Sequence, residues 1–96
     1  MTHTSAQKPD FAALRNQFPI LSREVNGKPL VYLDSAASSQ KPQLVLDAVH
    51  AAYAETYSNV HRGLHFLSEA STDAYEAVRG KVADLLGAPS NNEVIF

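Results

Sequence analysis

One short segment, Asn59–Ser68, concentrates side chains that could do chemistry. It holds two histidines, His61 and His65, with Arg62 and Gly63 between them. Such polar groups must be hydrogen-bonded or solvated, so they suit a packed core poorly and a site for a charged small molecule well. Functional groups of this kind usually lie on loops between rigid elements. The segment therefore predicts a binding site.

Each of these polar side chains has two interpretations. His61 and His65 are four residues apart, which on a helix would place two metal ligands on one face. Gly63 between them and the lack of a third ligand nearby favour a structural, hydrogen-bonded role for one histidine, and His61 is the better functional candidate. Arg62 has a planar fork of donors suited to a carboxylate of a ligand or of a neighbouring chain. The alternative for Arg62 is a surface ion pair.

A second segment, Ser35–Ser39, contains only very small side chains at the point where a strand is expected to turn into a helix. Its backbone could approach a bulky ligand closely, and the dipole of the following helix would favour an anionic group. The simpler alternative is an ordinary turn capped by the carboxylate of Asp34. We predict that this segment and Asn59–Ser68 contribute to one site.

Composition narrows the class of protein. The 96 residues can form at most one small domain, and 45% hydrophobic with 19% charged residues is typical of a globular protein. A net charge of -2 with scattered basic residues argues against nucleic acid as a partner. No apolar run is long enough for a membrane span, so we expect a cytoplasmic protein with no membrane partner. Because there is no cysteine, these residues hold no disulfide, thiolate metal site or cysteine nucleophile.

Helical periodicity and capping residues predict three helices around these segments. The first is opened by Asp10 and ended by Pro19, the second runs from Pro42 to about Tyr57, and the third is capped by Ser68 and closed by Gly87. The expected inward face of the third helix comprises Tyr75, Val78, Val82, Leu85 and Leu86. Residues 1–9 are expected to be a disordered lead-in.

Strand signals are fewer. Asn26-Gly27 is a strong hairpin signal, because both residues tolerate positive φ, and it predicts a short ribbon between Ile20–Leu21 and Val31–Leu33. Pro29 would keep that ribbon short and at an edge. At the other end of the chain, Glu93–Phe96 is expected to begin a buried strand.

Five stretches match those of a known family in order and spacing. They are Phe18–Leu21, Val25–Leu30, Tyr32–Ser38, Gln40–Pro42 and Asn59–Gly63. On these stretches the chain resembles the N-terminal part of SUF-type (SufS-like, group II) cysteine desulfurases, which are class V aminotransferases among the fold-type I pyridoxal-phosphate enzymes. The resemblance implies an α/β fold with a helix, a short β-ribbon, two longer helices and the start of a large-domain strand. Residues 10–96 would then be the truncated first part of that domain.

The resemblance also implies an activity. Enzymes of this family are homodimers that use pyridoxal 5'-phosphate to take sulfur from L-cysteine, leaving L-alanine and an enzyme persulfide that feeds an acceptor protein of the SUF system for iron-sulfur cluster assembly. By this resemblance Ala36 and Ala37 would line the substrate pocket, and His61 and Arg62 would lie near the active site and the dimer interface.

By the same resemblance, no catalytic, cofactor-binding or metal-binding residue is expected in these 96 residues. The family's Schiff-base lysine and persulfide cysteine would lie beyond Phe96, so the fragment alone is expected to be inactive. Two alternatives stay open. The chain could come from a selenocysteine lyase or another class V enzyme, because the residues that set the substrate lie elsewhere. It could also be a non-catalytic interaction module derived from the family.

Overall fold

A computed structural model describes residues 7–96, which form two compact units, one ending at Val49 and the other beginning at His50. In chain order the elements are α1 (Phe11–Asn16), β1 (Glu24–Val25), β2 (Lys28–Pro29), α2 (Gln43–Ala51) and α3 (Phe66–Leu86). Single 3-10 turns cover Pro19–Ser22 and Asn91–Glu93, and a π-helical turn covers Ala52–Thr56. The described part of the chain is thus rich in helix, and its sheet is one ribbon of two-residue strands. Of the predicted lead-in, residues 1–6 lie outside the described residues, and residues 7–9 are in neither helix nor strand.

Helix α1 begins as the sequence predicts and ends earlier. The carboxylate of Asp10 caps it by accepting a hydrogen bond from Ala13 N at 3.1 Å. The helix stops at Asn16 rather than at Pro19, because Phe18 takes the extended conformation that a residue before proline prefers. Phe18 therefore lies outside the helix.

The predicted turn of the hairpin is confirmed, and its predicted strands are wrong. Asn26 and Gly27 both have positive φ, 54° and 74°, as a type I′ turn requires. Only Glu24–Val25 and Lys28–Pro29 pair across it, in antiparallel register. Ile20–Leu21 instead lies in a 3-10 turn that begins at a proline, and Val31–Leu33 has no strand partner. One further ladder bond follows Pro29, from Leu30 N to Arg23 O at 3.0 Å, and no strand pairing continues beyond it within residues 7–96.

Helix α2 is close to its predicted limits. It begins at Gln43, and Pro42 lies just outside it, where the Pro42 carbonyl accepts from Val45 N at 3.0 Å and Leu46 N at 3.2 Å. A π-helical turn continues it to Thr56, one residue short of the predicted end.

Both ends of helix α3 are set by local capping residues. The C-terminal cap agrees with the prediction and the N-terminal cap differs from it. Its N-cap is His65, not Ser68, and the His65 ring accepts from Ser68 N. Its C-terminus is the predicted glycine: Gly87 has φ 70°, and Ala88 N donates to Ala83 O at 2.9 Å, which completes a Schellman motif.

The expected strand after α3 does not form in the described residues. Asn91–Glu93 is a 3-10 turn, and only Val94 has extended dihedral angles together with a buried side chain. A strand needs a neighbour to pair with, and residues 94–96 have none within the described part of the chain.

Little apolar surface is buried among the described residues. The buried hydrophobic residues are Ala83 and Val94, at 2% and 7% exposure, and both lie in the second unit. The predicted inward face of α3 is largely exposed instead, with Leu85 at 84% and Leu86 at 72%. Among residues 7–96, no helix combines the length and apolar character that crossing a membrane would need.

Candidate functional site

The candidate site is a loop held against α3 by a row of polar side chains. We call residues 59–65 the His61 loop. Ser68, Thr72 and Glu76 are spaced by four residues along α3, so they lie on one face of the helix. Each of the three makes a hydrogen bond to the loop. Helix α3 therefore fixes the conformation of the segment that the sequence singled out.

The first attachment is through Ser68, which is fully buried. Its hydroxyl donates to Asn59 O at 2.7 Å and accepts from Gly63 N at 3.0 Å. One side chain thus satisfies a carbonyl and an N–H on opposite sides of the loop, neither of which could be buried without a partner. A neighbouring hydroxyl, that of Ser71, donates to Thr56 O and ties down the approach to the loop.

The second attachment is through His61, whose backbone is in the left-handed region at φ 67°. For a residue with a Cβ this conformation is uncommon and costs energy, so the surroundings must maintain it. His61 N donates to Thr72 Oγ1 at 2.9 Å, and the ring Nε2 lies 2.6 Å from Glu76 Oε1. The ring also meets Tyr75 edge to face, with centroids 5.4 Å apart. Both the backbone and the ring of His61 are therefore fixed by α3.

Glu76 is itself held by a cation. Arg79 Nε donates to Glu76 Oε2 at 2.9 Å, so the two carboxylate oxygens have different partners. Two hydrogen bonds keep the pKa of Glu76 below its usual range. The larger effect comes from Arg79 and the smaller from His61. Arg79 in turn donates to Val94 O and lies over the ring of Phe96 at 5.0 Å. The result is a chain of contacts from the end of the described residues to the imidazole of His61.

His65 has the structural role that the sequence allowed for one of the two histidines. Its Nδ1 accepts from Ser68 N at 3.3 Å, and its Nε2 lies 3.4 Å from Ser58 Oγ. The spacing of four does not make a metal pair, because His61 lies in the loop, before α3 begins, and its ring is directed to Glu76. No cluster of three potential metal ligands occurs among residues 7–96.

Arg62 is presented differently from its neighbours. It is exposed, and within residues 7–96 its guanidinium forms neither a hydrogen bond nor an ion pair. The surface-pair alternative therefore finds no partner in the described part of the chain. On the helix side of the loop lies a cavity of about 370 Å³, lined by His61, Gly63, Leu64, Glu69, Thr72 and Asp73.

The small-residue turn is closed by backbone rather than by a carboxylate. The carbonyl of Asp34 accepts from Ala37 N at 3.1 Å and Ser38 N at 3.0 Å. The hydroxyl of Tyr32 donates to the Ser38 carbonyl and lies 3.2 Å from the Asp34 carbonyl. Both Ala36 and Ala37 are exposed, so a ligand could reach their backbone. That they line a substrate pocket, and that this turn shares a site with the His61 loop, stay predictions.

Sequence reasoning missed four residues that fix the site: Ser68 as a buried attachment, Thr72, Glu76 and Arg79. The spacing of the first three was a usable signal, because a polar residue at every fourth position of a long helix predicts a polar stripe. Their partners could not be identified, since Glu76 lies fifteen residues from His61 in the sequence.

At the His61 loop the described residues do not fit pyridoxal phosphate, the cofactor that the resemblance implies. A phosphate cradle needs free N–H or hydroxyl donors. Here Gly63 N is bound by Ser68 Oγ, and Ser68 N by the His65 ring. The amine of Lys41 donates to Ser39 O at 2.7 Å.

Comparison with known proteins identifies related sequences. The family Aminotransferase class-V matches residues 31–96, more than half of the chain. A probable cysteine desulfurase of Mycolicibacterium paratuberculosis is 51% identical over 87 residues, covering 91% of this chain and 13% of that protein. A probable cysteine desulfurase of Synechocystis is 54% identical over 91 residues, 94% of this chain and 22% of its own length. A cysteine desulfurase of Yersinia pestis is 57% identical over 83 residues, 86% of this chain and 20% of its own length. The chain thus spans about a fifth or less of the length of these relatives.

Proposed function

Since the chain belongs to the aminotransferase class-V family, we propose that it is the N-terminal part of a SUF-type cysteine desulfurase. The observation that carries the proposal is the identity of 51% to 57% with proteins named cysteine desulfurase or probable cysteine desulfurase, over most of this chain. Family membership implies a fold-type I pyridoxal-phosphate enzyme, of which these residues form a partial, helix-rich portion.

The proposed reaction removes sulfur from L-cysteine, leaving L-alanine and a persulfide on the enzyme. When bound, the cofactor would supply an electron sink for this chemistry. Because the His61 loop does not fit the cofactor, we propose that its binding groups come from other parts of the protein. The proposed contribution of this chain is to shape and position a pocket wall.

That contribution centres on the His61 loop. The loop is tied to α3 at Asn59, His61 and Gly63, so it presents Arg62 from a fixed backbone. A guanidinium that is exposed and not paired within residues 7–96 suits a bidentate contact with a carboxylate, either that of L-cysteine or one on a partner subunit. Ala36 and Ala37 are also proposed to line substrate space, because their small side chains leave room for a ligand.

The proposal also covers the cellular location, the oligomeric state and the sulfur acceptor of the protein. The protein would act in the cytoplasm as a homodimer and pass sulfur to an acceptor protein of the SUF system for iron-sulfur cluster assembly. What supports these partners is that the relatives are named cysteine desulfurase or probable cysteine desulfurase. Each partner is therefore tested separately. Size-exclusion chromatography with light scattering would measure the oligomeric state, and a dimer is the expected result.

The activity is tested on the protein expressed from the complete reading frame that contains these 96 residues. With L-cysteine, pyridoxal phosphate and dithiothreitol, we expect alanine and sulfide in equal amounts. A parallel reaction with L-selenocysteine distinguishes a selenocysteine lyase, which would release selenide but little sulfide. A well-folded protein that forms no alanine from either substrate would favour the interaction module and contradict the proposal.

A further inference from the structure

We propose that Glu76 is a positioning residue that holds the imidazole of His61 in a single tautomer, with the proton on Nε2 and the lone pair on Nδ1. This inference rests on the proposed function only where it concerns turnover. Its structural part concerns four residues of one unit: His61, Tyr75, Glu76 and Arg79.

The tautomer follows from the chemistry of the contact. An ionised carboxylate has lone pairs and no proton, so it can only accept hydrogen bonds. Glu76 Oε1 lies 2.6 Å from His61 Nε2, which makes that nitrogen the donor. In a neutral imidazole only one nitrogen carries a proton, and the acceptor lone pair must then be on Nδ1.

The carboxylate is held in place from its other side. Arg79 donates to Glu76 Oε2 at 2.9 Å, and its charge keeps Glu76 ionised. Arg79 cannot swing away freely, because it also donates to Val94 O and lies over the rings of Phe96 and Tyr75. A fixed cation thus orients a carboxylate, and the carboxylate orients an imidazole.

The orientation is useful because Nδ1 of His61 is left available. Within residues 7–96 no group donates a hydrogen bond to it, whereas Nε2 and the backbone N–H of the same residue are both engaged. The ring also packs against Tyr75, which limits its rotation. Carboxylates commonly set the tautomer of functional histidines in this way. The loop would therefore offer a proton acceptor on His61 next to the donor fork of Arg62.

The test uses the complete protein labelled with nitrogen-15 in its histidine rings, because ring nitrogen shifts distinguish the two tautomers directly. His61→Gln assigns the signal. At a pH at which the ring is neutral, we expect a single tautomer in the wild type, with the proton on Nε2. Glu76→Leu should give a mixture of tautomers, since it removes the acceptor, and Glu76→Gln should restore much of the Nε2–H form because its amide oxygen still accepts. Asp84→Asn, on the same helix and without an ion pair among residues 7–96, is the control for lost charge and should change nothing.

Turnover gives the second measurement. We expect Glu76→Leu to lower kcat roughly tenfold with little change in KM, the scale on which losing the hydrogen-bond partner of a functional imidazole acts. Glu76→Gln should recover part of that loss. Since Glu76 is half-exposed, Leu should be tolerated; if that variant does not fold, Glu76→Asp keeps the charge while its shorter side chain falls short of His61.

The outcomes separate the two proposals. A wild-type spectrum with the proton on Nδ1, or one that Glu76→Leu and Glu76→Asp leave unchanged, overturns the inference whatever the enzyme does. An unchanged kcat in a variant with mixed tautomers also overturns the role in turnover. Absence of alanine formation by the wild type overturns the proposed function, and the spectra still decide the tautomer.

Discussion

The side chain of Ser68 occupies the space beside Gly63 that any Cβ atom would need. A Cβ built on Gly63 would lie 2.6 Å from both Cβ and Oγ of Ser68, closer than such atoms approach in proteins. The glycine is required here for close approach and not for its dihedral angles, because its φ is not positive. The same closeness lets Gly63 N donate to the Ser68 hydroxyl.

Gly63→Ala should therefore displace the His61 loop from α3. Overpacking of this kind costs about 1–3 kcal/mol, and we expect faster hydrogen–deuterium exchange in residues 59–65 with a lower Tm. Gly80→Ala is the matched control. Its new Cβ would meet only Asn91 Nδ2 at an ordinary 3.5 Å, and alanine is the better helix former by roughly 0.5–1 kcal/mol. If hydrogen–deuterium exchange in residues 59–65 is equally slow in both variants, the close approach of Gly63 to Ser68 is not a constraint.

Ser68→Ala should loosen the same loop by a different route. The change leaves Asn59 O and Gly63 N without their shared partner, and a buried polar group left unpaired costs about 1–3 kcal/mol. Ser22→Ala is the comparison, because Ser22 also donates to a carbonyl at 2.7 Å but at an exposed position where water can replace it. Equal losses of stability in the two variants would contradict a special role for the buried hydroxyl. Thermal melts of the complete protein measure both.

The parts of the fold that sequence predicted are those set by local chemistry. Asp10 as a cap, Asn26-Gly27 as a turn and Gly87 as a helix end depend on residues a few positions apart. The predicted strands were wrong because pairing depends on partners elsewhere in the chain. Serine is a common N-cap, so sequence predicts that role for Ser68. The ring of His65 caps the helix instead, and Ser68 is buried.

Sequence singled out the His61 loop but not the contacts that hold it, and that the loop belongs to a substrate site stays a prediction. His61 and Arg62 were singled out from their residue types, and the structure gives them different environments: a fixed ring for one and an exposed guanidinium for the other. What sequence could not supply is the pairing between loop and helix, since those contacts join residues five to fifteen positions apart. The left-handed backbone of His61 is maintained by that pairing, and the residue type alone does not place it there.

His61→Ala and Arg62→Ala should each lower desulfurase turnover in the complete protein while the cofactor stays bound. The reason is that neither residue belongs to a group that fits pyridoxal phosphate, whereas both lie on the loop proposed to face the substrate. Arg62→Lys should recover little, because an ammonium lacks the bidentate fork. Cofactor absorbance and alanine formation measure the two properties separately. Turnover at wild-type level in both alanine variants would refute the assignment of the loop to the site.

Acid should weaken the contact between Glu76 and His61. The folded-state pKa of Glu76 is lowered, so its contribution to stability is present above the unfolded-state value and is lost as the pH falls through the folded value. The difference in Tm between the wild type and Glu76→Gln should be largest near neutral pH and shrink below about pH 4, the ordinary range for glutamate. A difference that stays constant down to about pH 3 would show that the charge of Glu76 has no role.

The 96 residues on their own should be only partly ordered and should not hold pyridoxal phosphate. Among the described residues the buried hydrophobic side chains are Ala83 and Val94, while large apolar side chains such as Leu64, Leu85 and Ile95 are at least 84% exposed. Helices gain most of their stability by packing an apolar face, and a two-strand ribbon is marginal in water.

The isolated chain should therefore show helical circular dichroism that melts gradually, without a sharp transition. Mixed with pyridoxal phosphate and dialysed, it should retain no cofactor absorbance, because the donors around Gly63 that could hold a phosphate are engaged. The His61 loop is the part most able to persist, since its contacts to α3 all lie within one compact unit. Slow hydrogen exchange confined to residues 59–76 would show that the His61 loop and the adjoining part of α3 are the most stable part of the isolated chain. A cooperative melt of the monomer, or an absorbance band that survives dialysis, would show that these residues form a self-sufficient domain.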